Sequence, residues 1–402
     1  MTGTKVNLYL GICLLFGSLL LACTSAPIKY PGWQRPVFYP HGQSLDVLWH
    51  AQLFERGVMD FEPIEDGGVG IDLGEKLVYV GGRSQVLHKL DLLTGKPLKK
   101  RRFESEIFAT PLVHQNMLLL GSSDGSFYAL DKYNLDEIWS YRGKSEYVAE
   151  PTVVDRYLYI VSQGDVLTAL DVESGKFIWE ANEVYTGTLA IRRHAKPVVE
   201  GGVVYQGYSN GTLVAYNRFS GEVLWKQTLG RGKRFDDVNG TPVVEGGVVY
   251  TASFDNGVYA LDAKSGTILW FTPLRSASAP MLWEGLVLVT ASENGFYALE
   301  KNAGTIQWYF DLSKVSRKKD EGSFSRPQPY GQNQAIFTTS NGGLYLIDLR
   351  NRQLVDRLAP GVGISAEPSV AGKLILFLSN GGAISAVTLS KRGLTHTPQP
   401  KP

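Results

Sequence analysis

Cysteine is almost missing from this chain: two occur in 402 residues, Cys13 and Cys23, both near the N-terminus. No disulfide can staple the remainder, so a folded domain must be held by its core. A dominant charge is missing too, since 40 Lys and Arg stand against 39 Asp and Glu for a formal net charge of +1. That removes the overall electrostatic signature of a nucleic-acid binder or of a protein built around an acidic partner. The six histidines, His41, His50, His88, His114, His194 and His396, show no metal-ligand spacing, so no metal site is expected. The N-terminal apolar run, Leu8 to Leu21, has 14 residues, against the about 20 a membrane-spanning helix needs. Glycine, in contrast, is plentiful: 44 of 402, with 11% aromatic residues and no collagen period. This suggests a turn-rich β protein in which Gly serves turns needing positive φ.

One stretch organises the rest. Tyr259-Ala260-Leu261-Asp262-Ala263-Lys264-Ser265-Gly266-Thr267-Ile268-Leu269-Trp270 reads as a strand, an Asp-x-x-Ser-Gly turn and a second strand closed by Trp. It recurs as Ala129-Leu130-Asp131 to Trp139, Ala169-Leu170-Asp171 to Trp179, Ala215-Tyr216-Asn217 to Trp225, and Ala298-Leu299-Glu300 to Trp308. Weaker copies sit at Leu90-Asp91 and Ile347-Asp348, without the Trp. A Pro opens most units: Pro111, Pro151, Pro197, Pro242, Pro280, Pro327 and Pro368. From Pro to the acidic or Asn position the spacing is 20 residues five times and 21 once, and from there to Trp always 8. Each unit holds four strands at a period of about 43 residues, a repeat that outranks any local motif.

Counting back from Asp91 places a further start near Ile71, and the last unit, begun at Pro368, runs out before its fourth strand. Leu45-Asp46-Val47-Leu48-Trp49 is a lone strand with the signature of strand four. The fold expected is all-β, an eight-bladed β-propeller of four-stranded antiparallel blades, closed by this N-terminal strand completing the last blade. The Trp residues are expected to pack between blades.

Because the unit is constant, length varies only from the Trp position to the next Pro: 12, 12, 18, 17, 10, 19 and 12 residues, and 22 from Trp49 to Ile71. These crossings emerge on one face together with the loops joining strands two and three, and insertions on one face often mark where a repeat protein binds. The 18-residue crossing carries Leu189 and Ile191, followed by Arg192 and Arg193; the next carries Arg231, Lys233, Arg234, Asp237 and Asn239. An apolar pair rimmed by Arg and facing an acidic cluster suits a binding hot spot. A locally folded loop in which Arg192 pairs with Asp237 fits the same composition. The 19-residue crossing holds Lys314, Arg317, Lys318, Lys319, Asp320 and Glu321, a solvated loop in this reading.

At the N-terminus Lys5, the apolar run and Leu20-Leu21-Ala22-Cys23 resemble a bacterial lipoprotein signal. Residues 1–22 are then a signal peptide, Cys23 the lipidation site, 23–44 a Pro-containing tether, 45–390 the propeller and 391–402 a loose tail. Thr24, rather than Asp, after the Cys implies an outer-membrane, periplasm-facing location.

Together these features resemble the BamB family, the lipoprotein propellers of the outer-membrane β-barrel assembly machinery. The family's docking loop, Leu-x-Leu-Arg, is matched by Leu189-Ala190-Ile191-Arg192 before Pro197. Its second segment, Asp-Val-Asp before Thr-Pro-Val-Val, is matched by Asp237-Val238-Asn239 before Thr241-Pro242-Val243-Val244, with Asn239 departing from the acidic pattern. The resemblance implies a non-catalytic scaffold without cofactor. It would bind the periplasmic POTRA domains of BamA as a monomeric subunit among the other members of the complex, with unfolded outer-membrane clients as further partners.

Two other readings stand beside it. Pyrroloquinoline-quinone dehydrogenases use the same repeat, but with an adjacent Cys pair and long catalytic insertions that this chain lacks. A glycan- or peptidoglycan-binding propeller is the other. Gly121-Ser122-Ser123-Asp124-Gly125 fits the Gly-x-Ser-x-Gly hydrolase pattern, but that elbow needs a strand leading into a helix, and here it falls where a turn is expected.

Overall fold

Strand two of four of the eight units is a short unbroken apolar run. Leu77–Val80 and Met117–Gly121 are buried at every position, as strands covered on both faces must be. The computed structural model describes residues 44–54, 67–183, 195–230, 237–291, 295–312 and 322–390. Within them the strands form eight separate four-stranded antiparallel sheets. Seven sheets take their strands in sequence order. The eighth pairs Leu45–Gln52 with Ala383–Leu389, from Leu45 opposite Leu389 to Gln52 opposite Ala383. The propeller therefore closes as expected, with blades 1 to 7 spanning residues 69–102, 112–142, 152–182, 198–228, 243–272, 281–311 and 328–358.

The Asp-x-x-Ser-Gly turn works through its carboxylate. Asp262 Oδ1 accepts the amides of Lys264 and Ser265 and the Ser265 hydroxyl, at 3.1, 2.8 and 2.8 Å. These bonds hold Asp262 below its ordinary carboxylate range, the Ser265 hydroxyl foremost. Gly266 closes the turn at φ +72° and donates to the Asp262 carbonyl at 2.8 Å. A β-bulge follows in the outer strand: Leu261 pairs with Ile268 and Ala260 with Trp270, leaving Leu269 unpaired. The same bulge precedes the Trp position in every other blade. An extra residue at that point re-aims the side chain after it.

Re-aimed, the indole reaches the next blade. Trp49, Trp139, Trp179, Trp225 and Trp270 donate their Nε1–H to the carbonyls of Leu92, Val172, Arg218, Ala263 and Lys301, at 2.9 to 3.1 Å. Each indole lies on the turn glycine of that next blade. A Cβ on Gly95, Gly175, Gly221, Gly266 or Gly304 would stand 2.3 to 2.7 Å from indole carbons. The turn Gly is thus required twice, by its φ and by the neighbour's Trp.

Candidate functional site

The residues that could contact a partner rise from the face opposite these turns, where the crossings and the strand two-to-three turns emerge. The crossing from blade 3 to blade 4 leaves the outer strand Phe177–Asn182 and returns at Ala195. Its departure is pinned at Glu183, whose amide donates to the Asp165 carbonyl at 3.2 Å. The Glu183 carboxylate accepts Asn210 Nδ2 at 3.1 Å and forms an ion pair with Lys226. Its return is pinned by Gln206, wholly buried, whose Nε2 donates to the Ala195 carbonyl at 2.9 Å. Beside it Lys196 donates its amide to Thr241 Oγ1 at 3.2 Å and pairs through Nζ with Glu150 at 2.9 Å.

The following crossing returns at Asp237-Val238-Asn239. Val238 donates its amide to the Tyr208 carbonyl, and Asp237 accepts the Phe254 amide on its own carbonyl, both at 3.0 Å. The segment is thereby clamped between the strand two-to-three turns of blades 4 and 5. Thr251, also wholly buried, donates from Oγ1 to the Gly240 carbonyl at 2.9 Å. Buried polar groups on strand two thus hold the roots of both long crossings, as buried donors must be satisfied.

Recessed carboxylates give this corner its electrostatics. Asp165, in the strand two-to-three turn of blade 3, is 2% exposed and accepts the amide and hydroxyl of Ser209 in blade 4, both at 3.2 Å. Burial pushes its carboxyl up to about 6; the Ser209 hydrogen bonds oppose the rise, and the nearby Asp237 and Glu183 charges add to it. Asp237 is 2% exposed as well, whereas Asn239 is partly exposed. The structure therefore separates two residues that sequence placed together: the carboxylate of Asp237 lies under the surface, and the side chain of Asn239 is partly open to solvent.

Leu189, Ile191, Arg192 and Arg193, Cys23, and the basic crossing from Lys314 to Glu321 all lie outside the described residues. Asp165, Glu183, Gln206, Asn210 and Lys226 are site residues that sequence reasoning passed over. Gln206 was the legible one, a polar residue inside the otherwise apolar strand Val203–Gly207. The Gly121–Gly125 stretch is a turn between two strands, with Ser122 Oγ near the Glu106 carbonyl. Among the described residues no group of three His, Cys, Asp or Glu is placed to hold a metal.

Comparison with known proteins bears on this arrangement. The family model described as outer membrane protein assembly factor BamB matches residues 44–149, 136–259 and 246–397. The chain belongs to the BamB family. Among curated relatives, BamB of Nitrosomonas eutropha is 28% identical over 46% of this chain and 43% of its own length. BamB of Yersinia pestis is 29% identical over 40% and 44%, and that of Escherichia coli K12 is 26% identical over 46% and 49%. Each of these alignments spans under half of the relative's length. Among solved structures, BamB from Moraxella catarrhalis superposes with a TM-score of 0.72 at 17% identity, covering 86% of this chain and 99% of that one. A quinohemoprotein alcohol dehydrogenase from Comamonas testosteroni superposes at 0.66 with 13% identity, a likeness of fold alone. Membership places the chain with outer-membrane assembly factors rather than with the dehydrogenases that share its repeat.

Proposed function

We propose that this chain is a non-catalytic scaffold lipoprotein that holds the periplasmic POTRA domains of BamA on its crossing face and so assists β-barrel insertion into the outer membrane. The observation that carries the reading is the rooting of two adjacent crossings, those matching the family's docking segments, in buried polar clamps at Gln206, Thr251 and the Tyr208 carbonyl. Rigid roots lower the ordering cost of a protruding loop when it binds. Leu189 and Ile191 supply apolar contact; Arg192 and Arg193 pair with partner carboxylates. Asn239, partly exposed, makes a polar contact at the rim, while the buried Asp237 fixes the loop from beneath. Lipidation at Cys23, after removal of residues 1–22, tethers the propeller of residues 45–390 through residues 23–44, with 391–402 as a tail.

The test is co-purification of BamA periplasmic domains with the full chain and with the Leu189→Ala/Ile191→Ala/Arg192→Ala variant. Loss of capture by a variant that still unfolds at the wild-type temperature supports the site; undiminished capture overturns it. Cys23→Ser is expected to move the protein into the soluble periplasmic fraction.

A further inference from the structure

Seven of the eight outer strands are unremarkable in charge; that of blade 1 is not. Pro97–Arg102 reads Pro-Leu-Lys-Lys-Arg-Arg and is exposed along almost its whole length. The corresponding strands of blades 2 to 5, Glu137–Arg142, Phe177–Asn182, Val223–Thr228 and Ile268–Thr272, carry isolated charges or none. Here Lys99 occupies the Trp position, opposite Lys89 after the bulge. Arg101 is engaged within the propeller: it donates to the Leu135 carbonyl at 2.7 Å and pairs with Glu137 at 3.2 Å. Lys96, Lys99, Lys100 and Arg102 are exposed, and among the described residues no carboxylate pairs with them.

Among the described residues no strand pairs with the outer side of this one. It is the last strand of its sheet. Phe103 donates its amide to the Gln85 carbonyl at 2.8 Å, so the antiparallel alternation turns the backbone groups of Arg101 toward the neighbouring strand and those of Lys100 and Arg102 outward. Outward amides and carbonyls, flanked by basic side chains on both faces of the sheet, present an edge complementary to one kind of strand.

We propose that the outer strand of blade 1 is a second docking edge, which takes an extended acidic segment of a partner protein by strand addition, with Lys99, Lys100 and Arg102 selecting its carboxylates. Main-chain hydrogen bonds would supply affinity and the charges specificity. In a ring of eight, this edge lies across the propeller from the crossings between blades 3, 4 and 5, so both sites can be filled together. The inference does not depend on the crossing-face reading.

The experiment uses the full chain in neutral detergent and a short fluorescent peptide of alternating Glu and Val, with a Gln-for-Glu peptide as control. The acidic peptide is expected to bind with strong salt dependence and to slow exchange of the Lys100 and Arg102 amides. Lys99→Gln/Lys100→Gln/Arg102→Gln, at surface positions, should weaken binding about tenfold with unchanged unfolding temperature. Equal binding of the two peptides, or undiminished binding to the triple variant, overturns the proposal. If the charges serve only to keep blade edges apart, the variant self-associates and the acidic peptide gains nothing, which also overturns it. Binding to phosphatidylglycerol vesicles without binding to the peptide reassigns the strand to a lipid surface and equally defeats the acidic-segment reading.

Discussion

At the seam between blades 3 and 4 the indole of Trp179 lies on Gly221 and donates to the Arg218 carbonyl. At the seam between blades 1 and 2 the same two positions hold Lys99 and Leu135. Leu135 keeps the left-handed backbone, at φ +59°, and its side chain is buried in the cluster with Tyr79, Leu118 and Leu130. With no indole above the turn, a Cβ has room, and the glycine is no longer needed. The carbonyl that an indole would have bound, that of Lys132, keeps the Tyr79 hydroxyl at 2.8 Å, as the Arg218 carbonyl takes Tyr159 beside Trp179 in the regular seam. A buried ion pair, Lys132 to Asp72 at 2.7 Å, completes the seam. Burial pushes Asp72 up, but the Lys132 ammonium and the Glu75 amide outweigh it and leave the carboxyl below its ordinary range. The closing seam departs in a third way: Asp356 stands at the Trp position of blade 7 and accepts the amides of Ser44 and Leu45 at 2.7 and 2.8 Å, gripping the start of the N-terminal strand. Trp and turn glycine are therefore packed against each other at five seams, whereas at the seam between blades 6 and 7 Trp308 is kept and Arg352 stands at the glycine position.

The largest effect should come from breaking a regular seam. Trp179→Ala removes a buried indole and its hydrogen bond, and is expected to cost about 3–5 kcal/mol in denaturant unfolding. The irregular seam should be nearly as sensitive but by a different route: Lys132→Met strands the Asp72 carboxylate, at about 3 kcal/mol or more, and Asp72→Leu/Lys132→Met should recover most of the loss. Recovery by the double variant would separate a charge penalty from a packing penalty. A smaller effect belongs to the other face of the regular seam, where Asp165 of blade 3 meets Ser209 of blade 4. Between its ordinary value of 3.8 and about 6 the unfolded chain has released this proton while the folded one retains it. Native stability should therefore fall as pH rises through that window, by at most about 3 kcal/mol, and Asp165→Asn should flatten the fall in thermal unfolding followed against pH. The smallest effect is at the seam between blades 6 and 7, where Arg352 takes the turn-glycine position at φ +56° with its guanidinium 5.9 Å from the Trp308 ring. Arg352→Gly relieves the backbone but loses the cation–π contact, so a net change under about 1 kcal/mol is expected.

Much of the architecture was legible because the repeat is metric. A fixed distance from Pro to Asp to Trp located strands such as Leu77–Val80 without residue-level ambiguity, and the orphan strand at Leu45 could have only one partner. The candidate site was legible in part. Two long adjacent crossings stood out by length, and Asp237 and Asn239 fell on one of them. Their different depths did not stand out, because burial there depends on Tyr208 and Phe254, which arrive from turns of two separate blades. The basic strand of blade 1 was likewise hidden in a near-neutral total, since a net charge averages away a local run.

The sequence by itself determined the blade number, the four-stranded unit and the closure, since these follow from periodicity and from the backbone's need to pair its edges. Tertiary structure alone decided which side chains act across seams. The Trp, its glycine, the Lys132–Asp72 pair and the Asp165–Ser209 contact each join residues from neighbouring blades, a whole repeat or so apart in the chain, and no local spacing encodes what the next blade will place against them.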